Sequence, residues 1–271
     1  MSVVLVTGAS TGFGRSTVES LAERGHQVFA GFRDVQGRNE KAAQELTAAG
    51  VRVVELDVTD QDSADRAIAE VLTRAGRLDV IVNNAGRIFV GPVEAFTAEQ
   101  VQDQFNVNAL GAVRVNRAAL PHLRAQGSGA LIQIGSIAGR VTVPFSGLYA
   151  ASKAALAALT EAWHDELAPF GVESVILDAA SYPTNIGANA TFGQSDPYAA
   201  SFGAYVAAIS TQPVGDPREV VDAVVTLVET PNGERPRRTV VAPVVQFDAV
   251  TALNQVAEQT AVTVATAMGV R

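Results

Sequence analysis

The stretch Thr7-Gly8-Ala9-Ser10-Thr11-Gly12-Phe13-Gly14 lies between an apolar run at 3–6 and a helical pattern at 12–24. A second apolar run at 27–32 completes a predicted strand, helix and strand, a βαβ unit. Glycines permit a tight turn and a close approach of the backbone, and the N-terminus of the following helix attracts a pyrophosphate. A turn of this kind can also be purely structural, and its Gly-x-x-x-Gly-x-Gly spacing differs from the common dinucleotide fingerprint. Other parts of the chain are therefore needed to identify a ligand.

The alternation of apolar runs and helical patterns continues along the chain. Runs that are apolar throughout are typical of strands buried on both faces. The sequence therefore predicts an α/β fold, a doubly wound, Rossmann-like parallel sheet between two layers of helices. We expect one domain over 1–271, with 181–215 as a lid on the substrate side and 243–271 as a C-terminal extension. Further strands are predicted at 52–56, 78–82, 130–134, 172–177 and 239–242, and helices at 39–48, 61–74, 98–125, 148–169 and 217–229.

The composition disfavours several kinds of function. The 271 residues are 48% hydrophobic, which is enough for a substantial core. They include no cysteine and three scattered histidines, so we expect no disulfide and no metal site. A net charge of -8 disfavours nucleic acid and anionic membranes as partners, because both attract basic surfaces. With no basic leader and no apolar stretch of roughly 18 residues, we expect a cytoplasmic protein that acts on small molecules.

Chemically informative residues follow the predicted strands, and in an open parallel sheet the carboxyl ends of the strands share one edge. Asn83-Asn84-Ala85-Gly86 follows the fourth strand, and Ser136 follows the fifth. Tyr149-Ala150-Ala151-Ser152-Lys153 opens the next helix. Together with the glycine-rich turn, these segments resemble the classical short-chain dehydrogenase/reductase (SDR) family over residues 3 to about 185. The resemblance implies an enzyme that moves a hydride between a nicotinamide and a carbonyl or alcohol.

The spacing of Tyr149 and Lys153 has a physical reason. Residues four apart lie on one face of a helix, so their head groups can share a site. A free phenol has a pKa of about 10, and a neighbouring ammonium is expected to lower it by favouring the phenolate. Of the 20 basic residues only two are lysines, so a lysine here indicates a need for a compact ammonium. The alternative is an ordinary helix tyrosine beside a solvated surface lysine.

The resemblance also implies roles for individual residues. Tyr149 is expected to be the proton donor and acceptor, and Ser136 to hydrogen-bond the substrate oxygen. Lys153 is expected to hold the nicotinamide ribose, and Asn108 to support a water in the proton relay. Tyr182 is predicted as a further substrate contact. The predicted cofactor-binding residues are Gly8, Ser10, Thr11, Gly12, Phe13, Gly14, Arg33, Asp57, Val58, Asn84, Ala85, Gly86, Tyr149, Lys153 and Thr184.

The end of the second predicted strand indicates which nucleotide is used. An acidic side chain there usually selects NAD(H), because it accepts from the ribose hydroxyls and repels a 2′-phosphate. This chain has Phe32-Arg33 instead, and a guanidinium pairs well with phosphate. We therefore predict NADP(H), with Asp34 as either a capping or loop carboxylate that neutralises Arg33. Asp57 resembles the family residue that contacts the adenine amine, with Val58 beside it.

The pattern departs from the family after the strand predicted at 172–177. A Pro-Gly pair is common there, followed by a threonine that meets the nicotinamide carboxamide. This chain has Ala179-Ala180 and keeps Thr184. The path of the backbone at this point is therefore left open.

The segment 181–212 carries one charge, at Asp196, and several aromatic residues. Such a wall suits a neutral, apolar ketone or secondary alcohol with an aromatic or alicyclic body, although these residues would serve equally well in a core. Arg87 and Arg140 follow motif segments and could reach the mouth of the site, but solvated charges on its rim are the favoured interpretation. The aromatic residues are Tyr182, Phe192, Tyr198, Phe202 and Tyr205.

Two other functions are compatible with this fold. A nucleotide-sensing regulator would not need the full set of serine, tyrosine, lysine and asparagine. An isomerase or dehydratase that retains its NAD usually has a larger C-terminal substrate domain. Family resemblance also implies a homodimer or homotetramer built on the helices predicted at 98–125 and 148–169.

Overall fold

The computed structural model of the protein describes residues 1–211 and 215–269. Its strands are β1 (Val3–Thr7), β2 (Gln27–Phe32), β3 (Arg52–Glu55), β4 (Val80–Asn83), β5 (Phe89–Val90), β6 (Gly129–Ile134), β7 (Val172–Ala179), β8 (Thr191–Phe192) and β9 (Arg238–Val241). Within the described residues, seven of them form one parallel sheet in the order β3-β2-β1-β4-β6-β7-β9. The chain winds outward from β1 in both directions, which confirms the predicted doubly wound α/β fold.

Helices cover both faces of this sheet. They are α1 (Gly12–Glu23), α2 (Glu40–Ala48), α3 (Gln61–Ala75), α4 (Ala98–Asn108), α5 (Leu110–Gln126), α6 (Gly147–Leu167), α7 (Asn185–Ala188), α8 (Ala199–Ser210), α9 (Pro217–Glu229) and α10 (Val244–Ala267). Helices α1, α2 and α9 contribute apolar side chains to the core on one face, and α3, α5 and α6 contribute to the core on the other.

Strand β1 shows why the apolar runs are continuous. Val4 and Val6 point into one core and Leu5 points into the other, because successive side chains of a strand alternate between the faces. All three are fully buried. A strand covered by helices on both sides has no polar face, so the run carries no alternating pattern.

The helix predicted at 98–125 is wrong as a single element. It divides into α4 and α5 at Ala109, whose φ of -115° departs from helical geometry. The start of α4 is fixed by a capping box, in which Thr97 accepts from the backbone N–H of Gln100 and the Gln100 side chain accepts from that of Thr97. The break at Ala109 places Asn108 at the very end of α4.

Strand β7 also extends two residues further than predicted. Its last residue, Ala179, pairs in register with Val241, and the backbone N–H of Ala180 donates to the Val241 carbonyl at 2.9 Å. Where the family commonly has Pro-Gly, this chain therefore continues the ladder to β9.

The predicted lid, 181–215, contains α7, β8 and α8, and its residues 212–214 lie outside the described part. Helix α10, in the predicted C-terminal extension, is largely exposed, although Val250 is buried. Among the described helices, none is both long enough and apolar enough to span a membrane. Helices α5 and α6 expose a shallow groove that includes Trp163, and the predicted oligomer contact on this face stays a prediction.

Replacing Leu5 by alanine tests the two-sided core. Because Leu5 is fully buried, the substitution leaves a cavity beneath the central strand. We expect the free energy of unfolding to fall by about 2–5 kcal/mol, measured by urea denaturation. Val256→Ala on α10, where the side chain is 61% exposed, should change it by less than about 0.5 kcal/mol. Equal effects of the two substitutions would contradict this description of the sheet.

Candidate active site

The glycine-rich turn is tied to the end of β4. Thr7 Oγ1 accepts from the backbone N–H groups of Asn84 at 3.1 Å and Ala85 at 3.0 Å. In return, Asn84 Nδ2 donates to the carbonyls of Thr7 at 2.8 Å and Gly8 at 3.2 Å. Gly8 has a φ of 65°, and a β-carbon there would lie 2.7 Å from Ala85 Cα. Glycine is therefore needed for the two strand ends to meet.

The turn forms an open cradle at the N-terminus of α1. A β-carbon on Gly14 would lie 2.4 Å from Asn84 Nδ2 and 2.6 Å from the Gly8 carbonyl oxygen, so this space exists only because the side chain is absent. The Thr11 side chain makes no capping hydrogen bond to any described residue. Unpaired amides at a helix N-terminus favour an anion, so the cradle fits a pyrophosphate.

Arg33 is exposed at the end of β2. Its Nη1 lies 3.9 Å from Asp57 Oδ2. Asp34 has a different partner, because its Oδ2 accepts from the backbone N–H of Arg38 at 2.9 Å. The Asp34 carboxylate is therefore a loop carboxylate that holds the turn before α2, and Asp57 is the carboxylate that faces Arg33.

The remaining predicted nucleotide residues lie around the same edge. Val58 is buried under α5, where a β-carbon on Gly111 would lie 3.0 Å from its Cγ2. Gly86 lies beside Asn108, whose Oδ1 would be 3.5 Å from a β-carbon at that position. Ser10 is half-buried in the turn, and Thr184 is half-buried just before α7.

Asn108 joins the segment after β4 to α6. Its Oδ1 accepts from the backbone N–H of Arg87 at 2.9 Å, and its Nδ2 donates to the Arg87 carbonyl at 2.9 Å and to Ser152 Oγ at 3.0 Å. Ser152 Oγ in turn donates to the Tyr149 carbonyl at 2.7 Å. The Asn108 side chain thus fixes the first turn of α6, and its predicted contact with a relay water stays a prediction.

Lys153 connects α6 to the end of β6. Its buried Nζ donates to the Ile134 carbonyl at 2.7 Å. Ser136 follows two residues later, where its Oγ accepts from the backbone N–H of Ala138 at 3.2 Å. The same side chain hydrogen-bonds Tyr149, and Lys153 Nζ lies 5.9 Å from the centre of the Tyr149 ring. The fold therefore brings Ser136, Tyr149 and Lys153 together.

Burial controls the protonation of both titratable groups. It raises the pKa of Tyr149 to about 12, although the hydrogen bond with Ser136 acts in the opposite direction. It lowers the pKa of Lys153 to about 8, and the Asp178 carboxylate opposes that change. The predicted lowering of the phenol pKa is therefore wrong, because the loss of hydration outweighs the favourable contacts of the phenolate. At neutral pH the phenol keeps its proton.

Tyr182 lies apart from these groups. Its side chain is 7% exposed, and its hydroxyl donates to Glu219 Oε2 of α9 at 2.9 Å. The ring meets Phe13 of the glycine-rich turn edge-on, with 5.9 Å between the ring centres. This placement does not favour the predicted contact with the substrate.

The other aromatic residues of the lid form a surface cluster around Phe145. Its ring centre lies 5.2 Å from that of Phe202 and 5.3 Å from that of Tyr205. Phe192 is 53% exposed, which does not fit a core position, and the role of the cluster as a substrate wall stays a prediction. An open groove of about 690 Å³ runs along it and is lined by Pro92, Val93, Glu94, Pro144, Phe145, Tyr198 and Ser201.

The two predicted rim arginines have partners. Arg87 pairs with Asp103 and lies over the Phe89 ring, 4.5 Å from its centre. Arg140 donates through Nε to Asn254 Oδ1 of α10 at 2.7 Å, and its side chain is 17% exposed. Arg140 therefore fastens the C-terminal helix, and its assignment as a solvated rim charge is wrong.

Four important residues were missed at the sequence level. Thr7 and Ser152 stand inside the quoted motifs, so their positions were a usable signal. Asp178 is a charge that directly follows the apolar run 175–177, which was also a signal. Phe145 lies in a loop without periodicity, and no local pattern marks it.

Comparison with known proteins agrees with this geometry. A family model described as short chain dehydrogenase matches residues 2–193. The chain is 34% identical over 250 residues to a 3-ketodihydrosphingosine reductase from Bacteroides thetaiotaomicron, covering 90% of this chain and 89% of that protein. It is 37% identical over 190 residues to the 17-beta-hydroxysteroid dehydrogenase type 1 of Homo sapiens, covering 68% of this chain and 57% of that longer protein.

Solved structures show the same likeness. A short-chain dehydrogenase from Streptomyces avermitilis superposes with a TM-score of 0.81 at 34% identity, covering 100% of this chain and 99% of the other. An alcohol dehydrogenase from Thermococcus sibiricus, complexed with 5-hydroxy-NADP, superposes with a TM-score of 0.73 at 29% identity, covering 90% of this chain and 97% of the other. A 3-ketoacyl-(acyl-carrier-protein) reductase from Brucella melitensis, complexed with NADH, superposes with a TM-score of 0.74 at 25% identity, covering 89% of this chain and 96% of the other. Complexes with both kinds of nucleotide therefore occur among similar proteins.

Replacing Gly14 by alanine should close the cradle. The new methyl group would collide with Asn84 Nδ2 and the Gly8 carbonyl, so the turn must move. We expect the affinity for a pyridine dinucleotide to fall by about tenfold or more, a loss of about 1.4 kcal/mol, measured by titration calorimetry. Gly203→Ala on α8, where a β-carbon meets nothing within 4 Å, is the control and should bind normally. Normal binding by Gly14→Ala would argue against the cradle.

Proposed function

The chain belongs to the short-chain dehydrogenase/reductase family, and we propose that it is an NADP(H)-dependent member that interconverts neutral, apolar ketones and secondary alcohols. The observation that carries the proposal is the grouping of Tyr149, Lys153 and Ser136 at the end of β6. The glycine-rich cradle lies at the same edge of the sheet, as expected for parallel strands.

The proton chemistry follows from the protonation of the site. A nicotinamide, when bound, supplies a hydride to the carbonyl carbon of a ketone and takes one back from an alcohol. Because burial raises the pKa of Tyr149, the phenol still holds its proton at neutral pH and can give it to the carbonyl oxygen. The Ser136 hydroxyl, which adjoins the phenol, orients the same oxygen. The Lys153 ammonium then stabilises the negative charge left on Tyr149.

The nucleotide would be held by residues that the fold already places at one edge. Gly8, Gly12 and Gly14 provide the close approach for its pyrophosphate, and the N-terminus of α1 provides the favourable potential. Asp57 is available to the adenine, and Lys153 to the nicotinamide ribose.

The choice of NADP(H) is supported by the charges at the end of β2. Phe32 is buried and offers no carboxylate to a ribose. Arg33 is exposed, and its separation of 3.9 Å from Asp57 is too long for a strong hydrogen bond. Its guanidinium is therefore free to pair with a 2′-phosphate.

An apolar substrate is supported by the groove beside Phe145. Its lining includes Phe145, which precedes Tyr149 by four residues, and Glu94 is the one charged residue among its lining residues in the described part. Two relatives carry names that denote apolar ketones or alcohols, a 3-ketodihydrosphingosine and a hydroxysteroid. We therefore propose a ketone of moderate bulk with an alicyclic, aromatic or long-chain body.

The Tyr149→Phe protein should lose the proton donor and keep the nucleotide site. We expect turnover of a responsive ketone to fall by about 10²-fold to 10⁴-fold, followed by NADPH absorbance, while the dissociation constant for NADPH stays within about twofold of the native value. Tyr205→Phe removes a hydroxyl from the aromatic cluster and should keep most of the activity. Retained turnover in Tyr149→Phe would overturn the assignment.

Arg33→Ala should weaken NADPH more than NADH. Losing a charge-assisted contact with the 2′-phosphate costs about 1.5 kcal/mol or more, so we expect the ratio of the two dissociation constants to change by about tenfold. Arg66→Ala is the control, because Arg66 of α3 is also exposed and lies 3.7 Å from the Asp60 carboxylate, much as Arg33 lies near Asp57. Equal losses for both nucleotides in Arg33→Ala would contradict the phosphate contact.

A further inference from the structure

Asp178 is a charged side chain in the interior of the sheet, 1% exposed. Its Oδ2 pairs with Arg238 of β9. Its Oδ1 is buried and has no hydrogen-bond partner within residues 1–211 and 215–269. Leaving one oxygen of a buried carboxylate unpaired costs folding free energy, unless another positive charge lies close enough to compensate.

The unpaired oxygen lies directly against the loop that carries Ser136. A β-carbon on Gly135 would be 2.4 Å from Asp178 Oδ1, so only glycine lets the carboxylate approach here. Gly135 stands between Ile134, whose carbonyl accepts from Lys153, and Ser136 itself. The carboxylate is therefore next to the backbone that holds both the ammonium and the serine.

Lys153 has the complementary need. An ammonium has three protons to donate, and its one hydrogen bond in the described part of the chain goes to the Ile134 carbonyl. Burial lowers the pKa of Lys153 to about 8, and the electrostatic attraction of Asp178 is the opposing influence.

We propose that Asp178 is a positioning residue that keeps the Lys153 ammonium charged and seated against the Ile134 carbonyl, beside Tyr149. This role deepens the function proposed above. Its effect on turnover rests on that proposed function, whereas its effect on the pKa of Lys153 is independent of it. The carboxylate acts through its field across Gly135, without touching the substrate.

The other charged groups around Asp178 lie on three elements. Arg238 of β9 joins it to Glu161 of α6, and Arg140, in the loop after β6, lies 4.0 Å from Glu161. Both arginines are cations and oppose a further positive charge. The negative charge of Asp178 also raises the pKa of Tyr149, which helps the phenol to retain its proton.

The two lysines of the chain make a direct test practical. Labelling with lysine enriched in ¹³C at Cε gives one NMR signal for Lys41 and one for Lys153, and Lys153→Met assigns them. In the native protein we expect the Lys153 signal to titrate near pH 8. Removing the negative charge destabilises the ammonium, so Asp178→Asn should move this titration to lower pH by about one unit.

Two controls separate this role from a structural one. Glu173 lies on β7, as Asp178 does, and forms a similarly buried ion pair with Arg235. Glu173→Gln breaks that pair and should leave the Lys153 titration unchanged. Asp178→Glu keeps the carboxylate and should titrate like the native protein. An Asp178→Asn protein that folds, by circular dichroism, and shows the native Lys153 titration would overturn the proposal.

A second variant covers the case in which Asp178→Asn does not fold. Replacing a buried ion pair by apolar side chains is often tolerated, so Asp178→Leu combined with Arg238→Met also removes the carboxylate. The reference for this protein is Arg238→Met alone, because both then lack the Arg238 cation and differ only at position 178. The Lys153 signal should titrate at lower pH in the double variant than in Arg238→Met, and equal titrations would contradict the proposal.

Activity provides a separate readout. In Asp178→Asn the high-pH loss of ketone reduction should begin about one pH unit lower than in the native protein, and an unshifted profile would contradict the role of the carboxylate. If no carbonyl compound were reduced by the native protein, the proposed function would fail while the lysine titration would still decide the role of Asp178.

Discussion

The hydrogen bond from the Lys153 ammonium to the Ile134 carbonyl is the contact on which the site depends. A buried ammonium needs an acceptor, and the end of β6 offers one at 2.7 Å. The bond fixes how α6 lies against the sheet. Because Tyr149 is one helical turn before Lys153 and Ser136 is two residues after Ile134, the same bond brings the phenol and the serine hydroxyl together.

Hydrogen bonds between segments that are distant in sequence also hold the rest of this edge of the sheet together. Thr7 and Asn84 exchange hydrogen bonds between the ends of β1 and β4, and Asn108 links the next segment to α6 through Ser152. Each contact joins elements that are distant in sequence but adjacent at the carboxyl edge of the sheet. The cradle, the proton donor and the aromatic groove therefore occupy fixed positions relative to a single frame.

The fold was predictable because its central strands are buried on both faces, so β1, β2, β4, β6 and β7 each contain a continuous apolar run. The main site residues were predictable because they follow those runs. The break at Ala109 was not, since the residue at the break is neither glycine nor proline and the nearby Gly111 lies within α5. The pairing of Asp178 with Arg238 joins residues 60 apart, and the placement of Tyr182 on Glu219 joins residues 37 apart. The Tyr149 pKa is shifted upward by burial, and no local sequence motif specifies how deeply a side chain is buried.

The most direct measurement is a crystal structure of the protein with NADPH and a ketone that it reduces slowly. The account predicts that the carbonyl oxygen lies about 2.6–3.2 Å from both the Tyr149 hydroxyl and Ser136 Oγ, with the Lys153 ammonium still on the Ile134 carbonyl. A ketone bound with its oxygen turned away from Tyr149, or a phenol shielded from it by other side chains, would contradict the account.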